Sequence, residues 1–141
     1  METLQERLER HEGFSPIPYR DADGWSIGFG HYMGNEGFAI SERVGRAILA
    51  EDIHKFTFEY ESLGWDLDPV RREVCIAMIF WHGLGSARKK KGFRGFTKAV
   101  KAIIDRDWQK AHDEFMDSKS GREMPERMTE LANAMLKGVW E

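Results

Sequence analysis

The stretch HEGFSPIPYRDADGWSIGFGH, residues 11–31, combines carboxylates and histidines with four glycines and two prolines. Glycine and proline at this density exclude a long helix, and the aromatic residues among them are not typical of a disordered tail. Residues 19–20, residues 25–27 and Phe29 predict short strands, with a turn at residues 22–24. The sequence therefore predicts a small strand-bearing region that is rich in polar groups.

Helical patterns lie on both sides of this stretch. Thr3 and Glu6 have the spacing of a capping box, and Gly13 is a helix stop directly after Glu12. Ser41 then begins a long helix that we expect to end at Gly64. Its apolar residues recur at alternating spacings of four and three, as Leu49, Ile53, Phe56, Tyr60 and Leu63.

The second half of the chain is predicted to form a helical lobe. Asp68 and Pro69 form a helix start, and residues 70–81 are apolar on nearly all faces, which is typical of a central buried helix. Three further helices are predicted over residues 97–104, 107–116 and 125–137, the last one ending at Gly138. The fold class is therefore α+β and mainly helical.

Composition limits the classes of protein that the chain could represent. A length of 141 residues fits one domain, and 21 basic against 24 acidic residues give a net charge of −3, which does not favour a dedicated nucleic-acid binder. No apolar run approaches the roughly 20 residues of a membrane span, and the charged N-terminus is not a secretory signal. The single cysteine, Cys75, lies in an apolar run and is expected to be a buried core residue. We expect the protein to fold in a reducing cytoplasm and to be a monomer.

The polar stretch contains residues suited to glycoside hydrolysis. That reaction uses two carboxyl groups on opposite sides of the bond, one protonated and one ionised. Glu12 at the end of a helix and Asp21 at a strand turn could form this pair, with the hydroxyl of Ser26 orienting a water molecule. On spacing alone, however, ordinary solvated acids are the favoured interpretation.

Other chemistry has weaker support in the sequence. The five histidines show no metal-ligand spacing, so we predict neither a metal nor another cofactor. The basic run ARKKKGFRGFTK, residues 87–98, could contact polyanions, although a solvated loop is the favoured interpretation.

A family resemblance extends over nearly the whole chain. The pattern EG-x5-YRD-x2-GW-S-IGFGH resembles the active-site stretch of the phage-type lysozymes, glycoside hydrolase family 24, the endolysins of T-even phages. LDPVRREVCIAMIFWHG, GFTKAVKAI with its later RDW, and PERMTELANAMLKGVW follow the helical lobe of those enzymes in order. The resemblance implies one lysozyme domain over residues 1–141 with a two-lobe fold. Residues 12–64 would form the small lobe and connecting helix, and residues 1–11 and 65–141 the helical lobe.

The resemblance also implies roles for individual residues. Glu12 would be the general acid, Asp21 the carboxylate that activates the attacking water, and Ser26 would replace the family's threonine. Arg127 would pair with the catalytic glutamate, and Asp52 with His31 at the lobe junction. The residues implied in substrate binding are Gly30, His31, Tyr32 and Phe80.

Some positions depart from the family pattern. The turn between Asp21 and Ser26 and the lobe junction are both shorter than in the T-even enzymes. Ala99 and Glu114 stand where those enzymes have polar glycan contacts, and the basic loop at residues 87–94 is an insertion. We expect the changes at Ala99 and Glu114 to alter subsite preference.

The function implied by the resemblance is that of a muramidase. Such an enzyme hydrolyses the β-1,4 bond between N-acetylmuramic acid and N-acetylglucosamine in peptidoglycan, with inversion, and lyses the host at the end of a phage infection. The chain would accumulate in the host cytoplasm and reach the cell wall through a holin. Two alternatives stay open: a non-hydrolytic wall-binding or phage-tail module with the same fold, and an enzyme acting on chitin or chitosan.

Overall fold

A computed structural model describes residues 1–35 and 39–141. These residues contain a three-stranded sheet and seven α-helices, so the fold is α+β and mainly helical, as predicted. The chain divides into two compact units, Met1–Ile48 and Leu49–Glu141. We call the first the N-terminal unit and the second the C-terminal unit. The predicted lobe bounds stay a prediction.

Helix α1 (Leu4–Glu12) opens the N-terminal unit with the predicted caps. The Thr3 hydroxyl accepts a hydrogen bond from the backbone of Glu6, and the Glu6 side chain accepts one from the backbone of Thr3. Gly13 ends the helix at a φ of 69°, in the left-handed region that glycine adopts without steric cost. Glu12 is therefore held at the last turn of a well-capped helix.

The antiparallel sheet of the N-terminal unit has the strand order β1 (Ser15–Asp21), β2 (Gly24–Gly28), β3 (His31–Gly34). The predicted strand at Phe29 is wrong, because positive φ values at Gly28 and Gly30 turn the chain there. β3, which follows this turn, was not predicted.

β1 begins at Ser15, earlier than predicted, and it contains two prolines. An edge strand tolerates proline because its outer backbone N–H groups need no ladder partner. The pairing of β1 with β2 is irregular between Ser15 and Tyr19, the segment that holds both prolines.

Helix α2 (Glu42–Glu61) follows Ser41, whose hydroxyl accepts a hydrogen bond from the backbone of Val44. The helix ends earlier than predicted. Leu63 and Gly64 instead form a turn in which their N–H groups donate to the carbonyls of Tyr60 and Glu61.

The C-terminal unit also contains α3 (Pro69–His82), α4 (Thr97–Ile104), α5 (Trp108–Met116), α6 (Lys119–Glu123) and α7 (Pro125–Lys137). All but α6 were predicted. α6 is a five-residue helix that begins at Ser118, whose hydroxyl caps the backbone N–H of Gly121. The fully buried larger side chains of this unit include Val74, Cys75, Met78, Ile79, Phe93, Ile103, Phe115, Met128 and Met135.

Cys75 is a buried core residue, as predicted, and burial raises the pKa of its thiol. Of the helices in the described ranges, none is long and apolar enough to cross a membrane.

Arg71 links the start of α3 to the end of α7. Its guanidinium donates to the carbonyls of Met135 at 2.7 Å and Leu136 at 2.9 Å, which end α7. It also lies 4.0 Å from the ring centroid of Trp108 and pairs with Asp68, the N-cap of α3. A charged fork thus satisfies helix-end carbonyls that would otherwise lack partners.

Candidate active site

Asp21 and Ser26 form a hydrogen-bonded pair on the sheet of the N-terminal unit. Asp21 lies opposite Gly24 in the β1–β2 register, and Ser26 follows Gly24 by two positions, on the same face of the sheet. The Ser26 hydroxyl donates to Oδ2 of Asp21 at 2.9 Å. The Ser26 residue is 0% exposed, so its hydroxyl is held in one place by the strands on either side.

A two-residue turn positions the Asp21 carboxylate. Ala22 and Asp23 join β1 to β2, and Ala22 has a φ of 52°. This conformation is uncommon for a residue with a Cβ, and such strain clusters at functional sites. The shortened turn still allows Ser26 to reach Asp21.

The Glu12 side chain lies against the β2–β3 turn. Gly30 has a φ of 72°, and a Cβ added to it would lie 2.7 Å from Oε2 of Glu12. A side chain at position 30 would therefore displace the carboxyl group. The N-terminal unit thus brings Glu12 beside the turn that follows the strand carrying Ser26.

Tyr32 is tied to the β1–β2 turn by a short hydrogen bond. Its hydroxyl donates to Oδ1 of Asp23 at 2.6 Å. This bond lowers the pKa of Asp23 and raises the pKa of Tyr32, because it stabilises the carboxylate and the protonated phenol together. Tyr32 is half exposed, so part of its ring remains free for a ligand.

The contact between Tyr32 and Asp23 was missed at the level of sequence. The hairpin register would have predicted this contact, but the register can be assigned only when β3 is known.

His31, at the start of β3, is exposed.

Phe80 lies in a groove of the C-terminal unit with a volume of about 490 Å³. Its ring meets the ring of Phe56 edge to face, with centroids 5.7 Å apart. Trp140 closes part of the groove and donates its indole N–H to Glu73 at 2.8 Å. The apolar residues that line the groove are Leu49, Ile53, Ile76, Ala77, Phe80 and Trp140.

Arg127 lines the same groove and stacks on a tryptophan. Its guanidinium carbon lies 4.2 Å from the ring centroid of Trp81, within the range of a cation–π interaction. Trp81 was not among the predicted site residues, since no local pattern links α3 to the first turn of α7.

His82, the next residue, has a lowered pKa. Burial lowers the pKa of His82 most, and the positive charge of Arg127 lowers it further. The hydrogen bond with the Met78 carbonyl has the opposite effect and raises it.

The predicted site residues fall into two groups. Glu12, Asp21, Ser26, Gly30, His31 and Tyr32 belong to the N-terminal unit, whereas Asp52, Phe80 and Arg127 belong to the C-terminal unit. The pairings of Arg127 with Glu12 and of His31 with Asp52 join different units and stay predictions. Within the described residues, no three His, Cys, Asp or Glu side chains are grouped so that they could hold a metal ion.

Comparison with known proteins identifies the family. The model of the phage lysozyme family matches residues 9–130. The chain is also 26% identical over 130 residues to the peptidoglycan hydrolase gp36 of Pseudomonas phage phiKMV. That match covers 87% of this chain but 14% of the relative, so the chain spans a small part of the relative's length. Because the family match extends from α1 into α7, the chain belongs to the phage lysozyme family.

Proposed function

We propose that this chain hydrolyses peptidoglycan, as a muramidase that cleaves the β-1,4 bond between N-acetylmuramic acid and N-acetylglucosamine. The observation that carries the proposal is the hydrogen bond from the fully buried Ser26 hydroxyl to Asp21, in a chain of the phage lysozyme family. A buried hydroxyl aimed at a carboxylate beside a strained turn suits a site that positions water.

In the proposed reaction, Glu12 is protonated and donates its proton to the leaving glycosidic oxygen. The fully buried Ser26 hydroxyl donates to Oδ2 of Asp21 and so orients the exposed carboxylate, whose Oδ1 remains available to a water molecule. Asp21 accepts one proton of that water as the water oxygen attacks the anomeric carbon. Glu12 ends ionised and Asp21 protonated, and exchange of both protons with solvent restores the starting state.

Inversion follows from attack by water on the face opposite the leaving group. Inverting enzymes keep the two carboxyl groups about 6.5–9.5 Å apart, which leaves room for the water, whereas retaining enzymes keep them at about 5 Å.

Substrate contacts are proposed for Tyr32 and Phe80, whose partly exposed rings suit the apolar faces of sugars. Gly30 and His31 would contact the glycan through the β2–β3 turn. Asp52 and Arg127 are proposed as supporting residues. The stacking of Arg127 on Trp81 limits its motion, which suits a positioning role.

Analysis of the cleavage products tests this proposal. Peptidoglycan digested by the protein and reduced with borohydride should yield muramitol ends, identified by mass spectrometry. Glucosaminitol ends would contradict muramidase specificity. NMR of the first products should show the α anomer, and an initial β anomer would rule out inversion.

The proposed setting is lysis of a bacterial host by a phage. The chain would be made inside the host, gain access to the wall through a holin and act there on glycan strands. Co-expression tests this: lysis should require the holin, and lysis without one would exclude that route.

A wall-binding module within a longer phage protein is the second candidate. It is favoured by the small share of the phiKMV relative that this chain matches. Binding to peptidoglycan without release of reducing ends would establish this second function.

A further inference from the structure

A loop of the C-terminal unit, residues 84–96, concentrates positive charge on one exposed segment. The sequence has no acidic residue between Glu73 and Asp105. Five basic side chains of the loop are exposed, namely Arg88, Lys89, Lys90, Lys91 and Arg94. Within the part of the chain that the structure describes, ten ion pairs form, and none of them uses these five residues.

Elsewhere in the chain most basic side chains are partnered. Arg7, Arg10, Arg46, Arg71, Arg72, Lys101, Lys119, Arg122 and Lys137 form ion pairs with acids. Lys98 follows the loop but lies in a hollow with Glu114 and Asp117, so it is not counted with the five. The chain has a net charge of −3, whereas this loop is a positively charged segment.

Backbone contacts hold the loop in one conformation. Ser86 and Lys91 exchange two N–H to carbonyl hydrogen bonds, at 2.8 and 3.1 Å. A Cβ added to Gly85 or Gly92 would overlap backbone atoms of the facing segment. Phe93, which is fully buried, anchors the loop in the helical core. The loop thus presents its charges on a fixed scaffold, which lowers the entropy lost on binding.

The side chains of the loop indicate the chemistry of its partner. Phe93 is buried and Phe96 packs against His82 and Phe115, so neither ring is placed to stack on nucleic-acid bases. Among residues 85–92 the only apolar side chain is that of Ala87, which is too small to insert into a lipid layer. Lysine is a hydrated point charge that suits diffuse attraction to a chain of phosphates.

We infer that this loop is a docking surface for an anionic phosphodiester polymer of the bacterial envelope that accompanies peptidoglycan. Such a polymer presents evenly spaced phosphates without bases and without a bilayer, which matches a rigid basic loop lacking exposed aromatic and large apolar side chains. The choice of an envelope polymer rests on the proposed function. Docking would hold the chain beside its glycan substrate.

The test compares two triple variants with equal loss of charge, both made in an E12Q background so that the wall stays intact. The loop variant carries Arg88→Gln, Lys89→Gln and Lys91→Gln. The matched control carries Arg43→Gln, Lys110→Gln and Lys119→Gln, exposed basic residues outside the loop. Lys90, which has a φ of 51°, is left unchanged so that the turn keeps its native residue.

Binding is measured to inorganic polyphosphate, and to peptidoglycan before and after removal of its phosphodiester polymer. At about 1 kcal/mol per basic residue, the loop variant should bind polyphosphate on the order of 100-fold more weakly, and the control should bind like the parent. The slope of log K against log salt should fall by about 2 in the loop variant. Only the polymer-bearing wall should show the same dependence on the loop.

Several results would overturn the inference. They are equal binding by both triple variants, equal binding to the stripped wall, and binding as tight to single-stranded DNA or to phosphatidylglycerol vesicles. The loop triple, with Glu12 intact, should hydrolyse stripped peptidoglycan at the parent rate. A loss there would also count against a separate docking surface. Failure of the parent to hydrolyse any peptidoglycan, with loop-dependent binding retained, would refute the proposed function alone.

Discussion

The two compact units of the chain differ in what is buried inside them. Among the described residues, every buried apolar side chain lies between Tyr60 and Met135, within the C-terminal unit. In the N-terminal unit, the buried residues among those the structure describes are Gly24 and Ser26. That unit nevertheless holds the carboxylates proposed to perform the chemistry.

This difference separates the forces that stabilise the fold from those that position the site. The C-terminal unit gains stability from apolar burial, which is non-directional and tolerates variation in geometry. The N-terminal unit depends on hydrogen bonds, caps and turns, which fix directions. A site that must orient a proton donor and a water molecule gains more from hydrogen bonds, caps and turns than from apolar burial. Such a site also tolerates backbone strain, such as the positive φ of Ala22.

The largest effect on stability should come from truncating the helical core. Ile79→Ala removes a side chain that is 0% exposed and should lower the free energy of unfolding by about 2–5 kcal/mol, because it leaves a cavity. The matched change in the N-terminal unit, Ile17→Ala, removes an exposed side chain of β1 and should cost less than about 0.5 kcal/mol. Urea unfolding measures both, and equal costs would contradict the proposed difference between the two units.

A polar contact inside the C-terminal unit should have the next largest effect. Arg71→Lys cannot reach the carbonyls of Met135 and Leu136 together, so it should cost about 2–3 kcal/mol. Arg43→Lys, at an exposed position, is the control and should leave the unfolding midpoint unchanged. A midpoint for Arg71→Lys within error of the parent would show that the fork is not needed.

Ser26 tests the N-terminal unit through activity instead of stability. Ser26→Ala removes the donor to Asp21 and should lower kcat by about 10- to 100-fold with little change in KM, because water is misplaced while proton donation remains. Ser26→Thr keeps the hydroxyl and should restore most of the rate. If alanine and threonine gave equal rates, the hydroxyl would have no part in catalysis.

His82 should produce the smallest effect, in the pH dependence of stability. Its pKa is lowered in the fold, so the unfolded state takes up its proton first as the pH falls. Stability should therefore be unaffected above about pH 6.5 and decline as the pH drops from there toward the lower folded pKa.

Thermal unfolding between pH 7.5 and 5 measures this dependence. His82→Gln should flatten the curve. An unchanged slope in His82→Gln would contradict the assignment.

Local signals explain which parts of the fold were predictable. Gly13, Asp68 and Gly138 end or begin helices through contacts within four residues, so their roles can be read from sequence. The prediction of a strand at Phe29 was wrong because the choice between strand and turn depended on the φ angles of Gly28 and Gly30. α6 was missed since a five-residue helix contains too little periodicity to detect.

The same distinction applies to the candidate site. Asp21 and Ser26 are five residues apart on one hairpin, and both were predicted as site residues, although the direct hydrogen bond between them was not predicted. The stacking of Arg127 on Trp81 and the bonds from Arg71 to α7 join distant parts of the chain. Their geometry follows from helix packing, which no local pattern in one sequence records.

Glu12 is proposed to donate the proton in peptidoglycan hydrolysis while contributing nothing essential to the fold. The direct measurement is the rate of reducing-end release from purified peptidoglycan by Glu12→Gln at matched folded concentration. The rate should fall by about 10²- to 10⁴-fold, with the free energy of unfolding within about 0.5 kcal/mol of the parent. Glu9→Gln, on the same helix, should retain full activity. Release by Glu12→Gln at the parent rate would contradict the claim.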